Sequence, residues 1–261
     1  MENFSVRRLA NLILGLALVF GGLTACHKKS GTTESPSPAP SAAGAPRIIG
    51  PVTPALVKQE ADSITHYLHF PKEAAAAKLD GIVQFYCDIT EEGMVETTHA
   101  LVANNPAFKS AVQTALDWGR FTPATVAGKP VRVYLGGTVL FIHENGTPVI
   151  VVSLATHDRE RVGKLANYIQ PQLIGGLRHT LERALSSLSK GVLVSGRGEA
   201  VVSVDANGVV TGTSGISENP KGSGLGSLLD EALKQAQFTP GYENGKPVAG
   251  GINVVANFGQ F

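Results

Sequence analysis

The run Trp118-Gly119-Arg120-Phe121-Thr122-Pro123-Ala124, followed by Gly128-Lys129-Pro130-Val131, has a second version later in the chain. Phe238-Thr239-Pro240 and Gly245-Lys246-Pro247-Val248 repeat it at one constant offset. The same offset pairs Ala115-Leu116 with Ala232-Leu233 and Phe141 with Phe258. Upstream the register slips by about two residues, then aligns Gly81 with Gly196 and Gly93 with Gly208, so the likeness spans about 60 residues with its gap in one polar loop. Self-similarity of that kind constrains the chain to two copies of one small module, and it does so before any function is in view.

A length of 261 residues accommodates one or two domains, and the repeat selects two. Hydrophobic residues make up 43% of the chain and charged ones 16%, enough for each copy to bury a modest core. The net charge of +1 gives no support to nucleic-acid binding. The two cysteines lie far apart in unlike settings and do not form a disulfide framework.

Residues 1–25 read as a targeting segment. Arg7 and Arg8 precede an apolar run from Leu9 to Phe20, which Leu23-Thr24-Ala25-Cys26 ends. A run of this length suits a signal peptide and falls short of a membrane span. Its Leu-Thr-Ala-Cys ending resembles the bacterial lipobox, which implies lipidation at Cys26 and firm anchoring by at least two acyl chains. His27 follows the cysteine, where an Asp would imply inner-membrane retention, so the resemblance implies the periplasmic face of the outer membrane. Residues 26–50 form a Pro/Ser/Ala-rich tether reaching about 30 Å on average.

The first module is expected over residues 51–156. Apolar spacing predicts helices over Pro54–His66 and Pro71–Leu79. Ile82–Ile89 alternates, with Val83, Phe85, Cys87 and Ile89 on one face and Gln84, Tyr86 and Asp88 on the other. A turn at Thr90–Gly93, a returning strand over Met94–Ala103 and a helix over Phe108–Trp118 follow. Val131–Ile142 alternates again, and Glu144-Asn145-Gly146 turns it into a further strand, Pro148–Leu154, which has no counterpart in the second copy. Residues 157–261 hold connecting helices (Asp158–Gln170, then one from Pro171) and the second module. In that module Gly198–Val204 and Val209–Ser214 form a hairpin, Leu225–Ala236 a helix and Val248–Phe258 the last strand.

This order and punctuation resemble the C-terminal domain of TonB, the energy transducer of Gram-negative outer-membrane uptake. Phe70-Pro71, Gly81, Gly93, Val95, Ala115-Leu116, Phe121, Pro123-Ala124, Gly128, Pro130-Val131 and Phe141 carry the likeness. The second copy follows more loosely over Gly196–Phe258. The resemblance implies an α+β fold class: two tandem modules, each a three-stranded antiparallel sheet packed with helices, the first with an extra edge strand. It also implies envelope protein partners, among them outer-membrane receptors or porins, met by strand addition. The family places a Trp two residues before the Phe; here Gly119 and Ala236 stand at that spacing, and Trp118 lies one residue farther from Phe121. The chain departs again in having a lipobox and short tether where TonB has an uncleaved inner-membrane helix coupled to a motor.

Candidate chemistry is sparse. Cys87 has the inward phase of a small core residue. His66 and His69 have helical metal-ligand spacing without a carboxylate or Cys partner. Ser153, His157 and Asp158 lack a nucleophile-elbow motif, and Gly222-Ser223-Gly224-Leu225-Gly226 matches neither nucleotide-loop spacing. No catalytic residue, metal or cofactor is expected. Two readings of function follow: a binding lipoprotein that uses sheet edges, and an accessory of TonB-type transport. In such a sheet the third strand pairs with the first and forms the edge. Pro148–Leu154 is expected to cover that edge in the first module. In the second, Val248, Ala249, Gly251, Asn253, Val255 and Asn257 are expected to present it to a partner or to a second copy.

Overall fold

In the computed structural model, residues 50–155, 167–186 and 195–259 are described, all within the compact unit Ala43–Phe261. Cys26, the tether and most of the helix expected from Asp158 lie outside them.

Where a helix was expected over Pro54–His66, the chain runs extended as a short strand, β2 (Leu56–Val57), after another just before it, β1 (Val52–Thr53). Their partners are remote: β1 pairs with β6 (Ala124–Val126) and β2 with β5 (Phe121–Thr122). Tertiary backbone bonds override the helical spacing here, and only α1 (Ile64–Tyr67) turns helical, where the Ser63 side chain accepts the Thr65 N–H. A second short helix, α2 (Lys72–Ala76), precedes the main sheet.

That sheet is built from β3 (Gly81–Ile89), β4 (Val95–Ala103) and β8 (Val133–Glu144) in the antiparallel order β4-β3-β8. Helix α3 (Pro106–Trp118) connects β4 to β5. Its start is set by Asn105, which accepts the Ala107 N–H, and by Pro106 in the first turn. Phe108, Val112, Ala115 and Leu116 face the sheet and are buried with Val83, Phe85, Cys87, Ile89 and Phe121. The hairpin of β6 and β7 (Lys129–Val131) lies between β5 and β8. β9 (Thr147–Ser153) then folds back through Asn145-Gly146 along the outer side of β8, from Thr138↔Ser153 to Glu144↔Thr147.

Beyond residue 166 the chain again runs extended where helices were expected. β10 (Tyr168–Ile169) pairs with β14 (Gly241–Glu243), and β11 (Leu173–Ile174) extends the cover of β8 by pairing with Tyr134 and Val133. Helix α4 (Leu177–Leu185) begins only after Gly175-Gly176. The second main sheet has the order β13-β12-β16, from β12 (Gly196–Val204), β13 (Val210–Asn219) and β16 (Gly250–Phe258), with α5 (Leu225–Lys234) on one face. The expected single strand Val248–Phe258 is interrupted at Ala249: Lys246–Val248 forms β15, paired with β14.

Several local arrangements recur in the two halves. β1-β6-β7 and β10-β14-β15 are three-stranded sheets of the same order. Gly93 and Gly208 take φ of 82° and 81°, and a Cβ on either would fall on the carbonyl oxygen of Phe121 or Phe238 respectively. Both phenylalanines are buried, Phe121 in one hydrophobic cluster and Phe238 in the other.

The halves are joined through more than the connecting chain. Tyr86 and Tyr134, on the face of the first sheet turned away from α3, belong to the same hydrophobic cluster as Leu229, Val254 and Phe258 of the second half. The first sheet is therefore covered on both faces, and β8 is buried continuously from Val133 to Phe141.

Candidate functional site

The third strand of each sheet lies beside the first, so β8 and β16 are the corresponding outer strands. On β8 that outer side is filled by β9 and β11. Among the described residues no strand pairs with the outer side of β16.

The face of the first sheet meets that side instead. Asn253 and Val255 sit opposite Val201 and Glu199 of β12, and their outer backbone groups turn away from β12 toward Tyr134. The Tyr134 hydroxyl accepts the Val255 N–H at 2.8 Å and donates to the Asn253 carbonyl at 3.4 Å. Asn253 Nδ2 donates to the Tyr86 hydroxyl at 3.2 Å, and Asn257 Nδ2 donates to the carbonyl oxygen of His99. Burial of the Tyr134 side chain pushes its hydroxyl well above the usual tyrosine range, so it stays protonated and can donate and accept together.

Exposure along the expected partner edge is uneven as a result. Ala249 and Gly251 are exposed, Val248, Asn253 and Asn257 are half-buried, and Val255 is 1% exposed. Val248 belongs to the β14–β15 hairpin rather than to the edge strand. The expectation of an uncovered edge omitted Tyr86, His99 and Tyr134. At the sequence offsets that align Gly81 with Gly196 and Phe121 with Phe238, Tyr86 falls on Val201 and Tyr134 on Gly251. This size difference is the one sequence signal at these positions, and it does not say what the tyrosines cover.

His99 occupies a bulge in β4, between Ala100↔Tyr86 and Thr98↔Cys87. The bulge turns its imidazole inward, where Nε2 lies 3.0 Å from the Asp88 carboxylate with both side chains fully buried. Asp88 also accepts the Leu177 N–H at 2.7 Å and the Arg178 N–H at 3.1 Å. It thereby caps α4, whose own N-cap residue is Gly176 and has no capping side chain. An Asp–His–Tyr grouping that could suggest catalysis is thus committed to a helix start and a strand edge. Beside it runs a groove of about 320 Å³ lined by Thr98, Leu101, Lys109, Gln113, Arg197 and Asn257.

The other residue types singled out in the sequence are placed as follows. Cys87 is a free thiol within the first core, where burial pushes its pKa up and keeps it a poor nucleophile. The glycine loop before α5 encloses the Glu218 carboxylate, which accepts the N–H groups of Gly222 (2.7 Å) and Gly226 (2.8 Å) and lies 3.2 Å from Ser223 Oγ. The loop's donors therefore hold an anion of the chain's own. His66 lies on α1, while His157, Asp158 and the lipidation candidate Cys26 fall outside the described residues. No cluster of potential metal ligands occurs among the described residues, and no described helix is long and apolar enough to cross a membrane.

Comparison with curated proteins and with solved structures returns no match. Residues 66–142, which run from α1 through β3, β4 and α3 into β8, match the family described as Gram-negative bacterial TonB protein C-terminal.

Proposed function

We propose that this chain is a non-enzymatic cell-envelope lipoprotein that binds periplasmic or outer-membrane proteins by taking up their extended segments as added strands. The observation that carries this reading is the match of residues 66–142 to the TonB C-terminal family, whose domains interact with outer-membrane receptors. In this reading residues 1–25 are removed, Cys26 carries the lipid, and residues 26–50 tether two modules, 51–156 and 157–261. The recurrence of the Gly93–Phe121 approach as Gly208–Phe238 supports the second module. Backbone pairing gives affinity without demanding particular side chains, which suits a surface as small and polar as Ala249, Gly251, Asn253 and Asn257.

Two measurements test this. Mass spectrometry of the mature protein is expected to find a diacylated or triacylated Cys26. A photo-crosslinking residue in place of Gly251, activated in intact envelopes, is expected to capture a periplasmic or outer-membrane protein. A soluble mature chain beginning elsewhere contradicts the anchor, and a folded chain that crosslinks to no envelope protein contradicts the binding role.

A further inference from the structure

A strand added to β16 would lie about 4.8 Å from it, in the plane of the β12–β16 ladder. It would take the outward N–H and C=O groups of alternate residues, among them the Asn253 carbonyl and the Val255 N–H. Those two groups are already held by one side chain, the Tyr134 hydroxyl. The Tyr134 ring is fully buried in the space such a strand would need. Tyr86 and the His99 carbonyl add bonds to the side-chain amides of Asn253 and Asn257. The Tyr134 hydroxyl thus imitates, on the backbone of β16, the partner that an edge strand otherwise lacks, and the two asparagine bonds secure the face beside it.

The contrast with β8 sharpens the point. The corresponding outer strand of the first half is closed by true strands, β9 and β11, within the same sheet. Opening it would break a continuous ladder from Thr138 to Glu144. On β16 the polar part of the closure is the Tyr134 hydroxyl and two asparagine side chains, beside the Tyr86 and Tyr134 rings buried in the shared cluster. Its removal costs apolar burial but breaks no backbone ladder.

From this we propose that the β16 edge is held shut by the Tyr86, His99 and Tyr134 face of the first module, and that a partner strand binds by displacing that face. The proposal rests on strand addition as the mode of binding. It makes the edge a gated site: affinity for an extended peptide is lowered by the fraction of molecules in which the face is docked. Removing docking bonds raises that affinity without adding any contact to the peptide.

The experiment uses the full-length chain and a synthetic peptide of residues 147–153 with lysines added at its ends, since this segment is the strand that closes β8. Tyr134→Phe keeps the ring and removes both hydroxyl bonds. Asn257→Ala removes the His99 contact at a half-buried position and serves where Tyr134→Phe fails to fold. Affinity is measured by titration, and exchange of the Val255 amide by NMR. The expected result is faster Val255 exchange and peptide binding about tenfold tighter in each variant than in the wild type, with tightening abolished by adding Val255→Pro. Equal affinity in wild type and variants, with Val255 exchange accelerated, overturns the gate and leaves strand addition standing. No peptide binding by any form, accelerated exchange notwithstanding, overturns strand addition and the gate together.

Discussion

The side-chain amide of Gln172 holds the backbone of Ala55 at both ends: its Oε1 accepts the Ala55 N–H at 2.7 Å and its Nε2 donates to the Ala55 carbonyl at 2.8 Å. Both residues are buried, and 117 positions of sequence separate them. The carboxamide does here what a neighbouring strand would do, joining the extended arm of the first half to the arm that opens the second. Gln172→Ala leaves a buried donor and a buried acceptor without partners, at an expected cost of about 2–5 kcal/mol. Gln172→Glu is expected to be at least as costly at neutral pH, because a carboxylate faces the Ala55 carbonyl where an NH2 stood. Urea denaturation of the three proteins checks both.

Gly93 and Gly208 carry the second prediction. Each has a left-handed backbone and sits against the carbonyl of a buried phenylalanine, so a methyl group adds backbone strain to a direct clash. Gly93→Ala and Gly208→Ala are each expected to destabilise the chain by more than about 2 kcal/mol. Similar losses in thermal melts are what equivalent roles require. A tolerated substitution at one position with a large loss at the other would separate the two halves.

Much of the first sheet was legible in the sequence because its strands are long enough to show a period. Val83, Phe85, Cys87 and Ile89 alternate as expected and are all fully buried, and Phe108, Val112, Ala115 and Leu116 keep helical spacing against them. The stretches that differ, the first part of Pro54–His66 and the segments at Tyr168 and Leu173, form strands of two residues whose partners lie far away in the chain, while Ile64–His66 is helical as expected. Two residues carry no periodicity, and local apolar spacing alone points to helix there. Alternation puts Asp88 on the face opposite the first core without saying what meets it; α4, lacking a capping side chain of its own, places its first N–H groups on that carboxylate. The edge strand itself was legible, but the cover on it was not, because Tyr134 reaches Val255 across the two halves.

Glu218 gives a pH test. The N–H of Gly226 and then that of Gly222, with Ser223 Oγ, hold its carboxyl below the usual glutamate range. A carboxyl with a lowered folded-state pKa contributes stability above its unfolded value of about 4.3, and the contribution fades as pH falls through the folded value. Glu218→Gln is therefore expected to lower stability at pH 7 and to reduce the loss that the wild type shows on acidification below about pH 4. Parallel melting curves across that range check the sign. An unchanged acid slope in the variant would contradict it.

The central claim, that partners are held by the backbone of β16, is tested most directly by comparing Asn253→Pro with Asn253→Ala. Both lose the side-chain bond to Tyr86, and only proline also loses the outward N–H. With circular dichroism showing both variants folded, crosslinking from position 251 to the envelope partner is predicted to persist in the alanine variant and to disappear in the proline variant. Equal capture by the two folded variants would contradict the account.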